Sequence, residues 1–114
     1  FYEQIRRVGE DENLRVLVLK LLNAHHLDAT SVLALEELLE YLKEKNCHVL
    51  LCEVRRDALR ILRNSGVLTR INRKNVFPHA SSNPTLSTAK AIKRAKFLVS
   101  GEKAKVTIFA DSQK

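Results

Sequence analysis

The stretch Leu14–Val54, LRVLVLKLLNAHHLDATSVLALEELLEYLKEKNCHVLLCEV, decides the fold. It opens on Leu14–Leu22, where nearly every side chain is apolar. A short run of that kind suits a strand covered on both faces, as in the sheet of an α/β protein. Asn23–Asp28 is a polar loop. The period then changes: Val32, Leu35, Leu38, Leu39 and Leu42 recur at spacings of three and four, while Glu36, Glu37, Glu40, Lys43 and Glu44 fill the other side. This predicts an amphipathic helix over Ser31–Lys45, capped by Thr30 or Ser31, or by Asp28, and closed by Asn46. His48–Val54 is apolar again and reads as a second strand. Strand, helix and strand in direct succession predict a parallel crossover.

The same alternation continues outward. Asp57–Ser65 is expected to be a helix with Leu59 and Leu62 inward, stopped by Gly66, and Val67–Ile71 an apolar connector. Val76–Phe77 is a very short strand ended by Pro78. Ser81–Pro84 is a turn, and Thr85–Val99 a last helix with Ala89, Ile92, Ala95 and Val99 on one face; Pro84 is well placed near its start, where a missing N–H costs little. Ala104–Ala110 alternates weakly, as an extra strand or a docked tail would. Upstream, Phe1–Val8 reads as a short helix ended by Gly9. A chain that opens on Phe1 and on a helix is expected to be a piece of a longer protein, its first strand lost upstream.

The 114 residues amount to one domain, 45% hydrophobic and 29% charged, which is enough to bury a core. No apolar run exceeds four residues, so nothing in the sequence spans a bilayer, and no signal peptide is expected. The net charge of +7 is uneven: residues 1–53 carry −4 and residues 54–114 carry +11. A basic half of this kind faces an anionic partner or is simply solvated. Aromatics are only 5%, with no Trp, which argues against a base-stacking platform for single-stranded nucleic acid.

Cys47 and Cys52 flank one strand and, five apart, point to opposite faces, so reduced buried thiols are expected and not a bridge. His25, His26, His48 and His79 show no metal-ligand spacing, and no metal or cofactor is expected. Gly9, Gly66 and Gly101 form no phosphate-cradling loop. No nucleophile elbow is present, so catalysis is not expected. The informative segment is Asn23–Leu35, NAHHLDATSVLAL. It runs from a buried strand through Asp28 to the hydroxyls of Thr30 and Ser31 at a helix start. Phosphorylation there would add charge to an exposed rim without unfolding the core.

Across residues 1–98 this pattern resembles the STAS domain. The resemblance rests on the apolar strand, the loop with Asp28, the L-x-x-L helix, the second strand, and a short helix ending in Ser65-Gly66 before Val67-Leu68. It implies an α/β fold with a mixed sheet of four to five strands and helices mainly on one side, over residues 1–99, with 100–114 as a tail. STAS domains occur as bacterial anti-sigma-factor antagonists and as the cytoplasmic C-terminal part of SulP-type anion transporters. Antagonists of the sporulation type read D-S-x-G at the loop and are phosphorylated on that Ser. Here Ala29 follows Asp28, and Ser31 stands where Gly is usual.

The departure favours the transporter-attached branch. The resemblance then implies a non-catalytic regulatory domain at the cytoplasmic face of the inner membrane, in a transporter of sulfate or a related anion. Its partners would be the transmembrane part of the same chain, a regulatory protein and anionic lipid, with no nucleic acid. Asp28, Thr30 and Ser31 would form the docking or phosphorylation rim. The candidate contacts to an anionic surface are Arg55, Arg56, Arg60, Arg63, Lys90, Lys93, Arg94 and Lys96. The alternative is a free-standing antagonist in a partner-switching pathway.

Overall fold

The computed structural model describes residues 7, 10, 14–21, 29–83, 85–99 and 105–110. Within them the order is β1 (Leu14–Lys20), α1 (Ala29–Glu44), β2 (His48–Val54), α2 (Arg56–Ser65), β3 (Val76–Pro78), α3 (Leu86–Leu98) and β4 (Lys105–Ala110), with 3-10 turns at Val67–Arg70 and Arg73–Asn75. Of the expected first helix, Phe1–Val8, only Arg7 is described, and it is helical; the His25-His26 loop lies outside the described residues.

The four strands form one sheet in the order β3-β2-β1-β4. All three pairings are parallel: Val18 lies beside Leu50 and Ile108, and Leu51 beside Val76. The α/β class therefore holds. An antiparallel strand, which a mixed sheet would need, is not among the described residues. Lys105–Ala110 lies in the sheet next to β1.

Side chains on alternate positions of the two central strands build two apolar layers. Leu17, Leu19, Val49 and Leu51 pack against Val32, Leu35, Leu38, Leu39 and Leu42 of α1 and against Ala58 and Leu62 of α2. Val16, Val18, Leu50 and Cys52 face the other way and pack against Ala91 and Ala95 of α3. Two helices thus share one face, and α3 covers the other. Both central strands are buried on both sides, which is why their sequences read as nearly continuous apolar runs. The two thiols divide between the layers: Cys47 lies in the first and Cys52 in the second, both free. Burial pushes the Cys47 thiol up to about 11, which keeps it protonated and unreactive at neutral pH.

The helix ends follow local chemistry. Asn46 takes a positive φ of 58° after α1, and Cys47 N–H reaches back to the Leu42 carbonyl at 2.9 Å, closing the helix as expected from the sequence. Gly66 does the same after α2 at φ 87°. The start of α1 differs from expectation. It begins at Ala29, two residues before Ser31, so Thr30 and Ser31 lie within its first turn and do not occupy the cap position. Their hydroxyls belong to helical residues, because Ala29 is a strong helix former and extends the helix back toward the loop.

Candidate functional site

Of the residues expected at the rim, Thr30 and Ser31 are described, on the first turn of α1. Ala29 and Thr30 are exposed on the first turn of α1 and Ser31 is half-buried; Asp28 lies outside the described residues. Beside this turn runs a groove of about 590 Å³ between α1 and α2, lined by Ala29, Val32, Leu33, Glu36, Ile61 and Asn64 among others. Leu33 stands on its wall, 56% exposed. Sequence reasoning passed over Leu33 and Ile61. The available signal was an apolar residue on the acidic side of α1, between the turn that carries Thr30 and Glu36–Glu37.

The basic residues do not form one patch. Arg56, Arg60 and Arg63 are exposed on α2, whereas Lys90, Lys93 and Lys96 are exposed on α3, across the sheet. A single flat anionic surface cannot meet both sets, because the sheet and its two apolar layers stand between them. Arg94 is already engaged: its Nε donates to Asn75 Oδ1 at 2.9 Å and its guanidinium stacks over the Phe97 ring. On the α1 side, Arg70 forms ion pairs with Glu36 and Glu40, which tie the connector after α2 to α1.

The densest polar cluster was not expected from the sequence. It is centred on Glu53, near the end of β2 and only 1% exposed. Glu53 has a positive φ of 54°, and the pairing with β3 shifts register between Cys52 and Val54. This is a bulge, and it resets the alternation of the strand. Simple alternation would send Glu53 to the same side as Leu51, into the leucine layer under α1 and α2. With the bulge, Val54 takes that place instead, and Glu53 turns to the side of α3.

On that side the carboxylate is fully partnered. Oε1 lies 2.8 Å from His79 Nδ1. Oε2 accepts the Thr88 backbone N–H at 3.1 Å and the Thr88 hydroxyl. The Glu53 backbone N–H donates to Ser87 Oγ at 2.9 Å. An ionised carboxylate only accepts, so Nδ1 of His79 carries the proton. Ser87 and Thr88 lie in the first turn of α3, whose free N–H groups and positive dipole end favour an anion. Thr85, before that turn, makes no side-chain cap, and Glu53 supplies the missing acceptor from another element.

Burial by itself pushes the Glu53 carboxyl up, but hydrogen bonds from His79, Thr88 and Ser87 outweigh it and hold the group at about 2. The unfolded chain returns it to the ordinary value of 4.5. Glu53 therefore adds stability at pH above about 4.5, and that contribution is lost as pH falls toward 2, because the unfolded chain takes up the proton first. The expected size is on the order of 3 kcal/mol. Urea denaturation between pH 6 and pH 2, compared with Glu53→Gln, checks it: the wild-type chain should lose its advantage over the variant across that window.

Among the described residues, no group of three His, Cys, Asp or Glu side chains gathers as metal ligands, and no helix is long and apolar enough to cross a membrane. The cluster and the rim are thus the two functional candidates, on a parallel sheet whose helices follow the strand order seen above. With that architecture in place, comparison with known families is decisive: the STAS domain profile matches residues 1–83. The chain belongs to the STAS domain family. The match covers β1, α1, β2, α2 and β3, and so includes Glu53, His79 and the whole α1–α2 groove. No curated protein matches the chain. STAS domains are generally regulatory, protein-interacting domains without catalysis of their own, and that coarse role fits a surface that carries an open groove lined by Val32, Leu33 and Ile61.

Proposed function

We propose that this STAS domain is the cytoplasmic regulatory and protein-docking module of a SulP-type transporter of sulfate or a related anion. The observation that carries the reading is Ala29. It is the first residue of α1 and is exposed, in the place where the phosphorylated antagonists of this family carry their switch hydroxyl. A methyl group there cannot accept phosphate, so docking at this rim would be governed by shape and not by a phosphoserine switch. Transporter-attached members vary more at this loop than the antagonists do, and some have a D-A pair there, which supports the assignment.

In this reading the partner surface is the first turn of α1 together with the α1–α2 groove, with Thr30 and Ser31 at its rim, Asp28 next to them in the sequence, and Leu33 as the apolar anchor. The transmembrane part of the same chain is the first partner, at the cytoplasmic face of the inner membrane. The exposed Lys90, Lys93 and Lys96 of α3 are the residues that would meet an anionic leaflet, each contributing about 1 kcal/mol near such a surface. The transport step itself belongs to the membrane part.

The full gene product tests the assignment: a multi-span membrane segment upstream of Phe1 is expected, and an open reading frame without one overturns it. Flotation with vesicles tests the lipid contact. Binding to vesicles rich in phosphatidylglycerol should fall steeply in a K90Q/K93Q/K96Q variant, and binding indifferent to lipid charge would sink the contact. The second reading, a free-standing anti-sigma-factor antagonist, rests on the exposed hydroxyl of Thr30 one residue after Ala29. Phosphorylation of Thr30 or Ser31 by a co-expressed kinase is the result that would favour it.

A further inference from the structure

The two connections that leave the C-terminal ends of β2 and β3 part to opposite faces of the sheet. β2 and β3 are adjacent and parallel. The chain leaving β2 runs into α2, on the face shared with α1, while the chain leaving β3 runs into α3, on the other face. In an open parallel sheet this divergence leaves a crevice at the carboxyl ends of the two strands, and ligands of α/β proteins bind in such crevices.

Here the crevice is present as a cavity of about 460 Å³ lined by Arg55, Arg56, Asp57, Arg60, His79 and Ser81. Its charge is one-sided. Among the lining residues, the exposed guanidinium groups of Arg56 and Arg60 outnumber the single carboxylate, Asp57, whose Oδ1 accepts the Ala58 N–H at 2.9 Å; Arg55, half-buried, already makes an interaction of its own. The positive end of α2 opens at the same place. Behind the wall, Glu53 holds the Nδ1 edge of His79 and so fixes the plane of the ring that lines the cavity. Arginine forks match the geometry of phosphate and sulfate oxygens, and the hydroxyl of Ser81 adds a donor.

We infer that this cavity is a binding site for a tetrahedral, doubly charged oxyanion of the sulfate or phosphate type, carried by a small solute. The few apolar groups in the lining give nothing for a large hydrophobic ligand, so the charged group itself is what the site recognises. The site lies at the opposite end of α2 from the Asn64 and Ser65 that line the docking groove. The inference does not rest on attachment to a transporter, and its failure would leave that reading untouched.

The test is titration of the 114-residue chain with sodium sulfate and sodium phosphate at constant ionic strength, with chloride as the balancing ion, followed by amide chemical shifts and calorimetry. The expected result is saturable binding centred on Arg56, Arg60, His79 and Ser81, weakened about tenfold or more in R56Q/R60Q. Both arginines are exposed, so the variant should melt with the wild-type chain, and K90Q/K93Q, which removes the same charge from α3, should bind as the wild type does. Four results would overturn the inference: a response to chloride equal to that for sulfate; equal weakening in both double variants, which would mean diffuse attraction; shifts centred elsewhere; and binding to phosphatidylglycerol vesicles without any response to the free ions, which would mean a membrane contact instead of a solute site.

Discussion

Glu53→Gln should lower the unfolding free energy by about 3 kcal/mol at neutral pH, a large share of the roughly 5–15 kcal/mol that a domain of this size has. The carboxylate accepts from His79, from the Thr88 N–H and from the Thr88 hydroxyl. An amide has one acceptor oxygen, and its NH₂ would face one of these donors. The pair also carries charge in a site almost closed to water, so removing one partner leaves the other polar groups buried and unmatched. Urea denaturation by far-UV circular dichroism measures the loss. A double-mutant cycle with His79→Ala should show a coupling of about 1–2 kcal/mol, because the two side chains touch. The backbone gives a second, independent expectation. Since Glu53 has a φ of 54°, Glu53→Gly should be less damaging than Glu53→Ala by roughly 1 kcal/mol, although glycine is the poorer strand residue. Equal effects of the two variants would show that the bulge carries no strain.

Leu62→Ala is the second large effect, about 3 kcal/mol within the usual 2–5 kcal/mol for such truncations. The reason lies in the composition of α2, RDALRILRNS. Its fully buried side chains are Ala58 and Leu62 alone, and Leu59 and Ile61 are only partly covered. Leu62 therefore provides most of the apolar area that fastens this helix to the leucine layer. A cavity there loosens the element that carries Arg56 and Arg60 and forms one wall of the α1–α2 groove. Hydrogen exchange should show α2 opening at a lower free energy than α1 in the variant. A loss below 1 kcal/mol would mean that the neighbouring leucines collapse into the gap.

Much of the architecture was legible because it is local. The helical period of Val32–Leu42, the two apolar strands and the stops at Asn46 and Gly66 depend on residues near one another in the chain, and the structure contains them within a residue or two. The rim was legible only in outline. Thr30 and Ser31 were placed at the start of α1, but the helix reaches back to Ala29 and takes them into its first turn. Leu33 read as one apolar residue on a polar side, since the groove it borders needs α2 as its second wall.

Glu53 was the hardest residue to read. A lone acid in HVLLCEV gives no sign of its partners, which lie 26 and 35 residues further on. Strand alternation also sends it to the wrong face, because the bulge that turns it toward α3 depends on pairing with β3. The basic half of the chain raised a similar difficulty. Counted along the sequence, Arg56 to Arg63 and Lys90 to Lys96 look like one positive region.

The sequence by itself determined the α/β alternation, the two-sided burial of β1 and β2, the free thiols and the lack of a side-chain hydroxyl at position 29. Each is a property of a residue type or of a short period, and local sterics and solvation are enough to set it. Only the tertiary structure decided the strand order β3-β2-β1-β4, the division of the basic residues between two faces, the burial of Glu53 against His79 and α3, and the arginine-lined crevice. Those depend on which way each crossover leaves the sheet, and that choice is made by the packing of whole layers against one another.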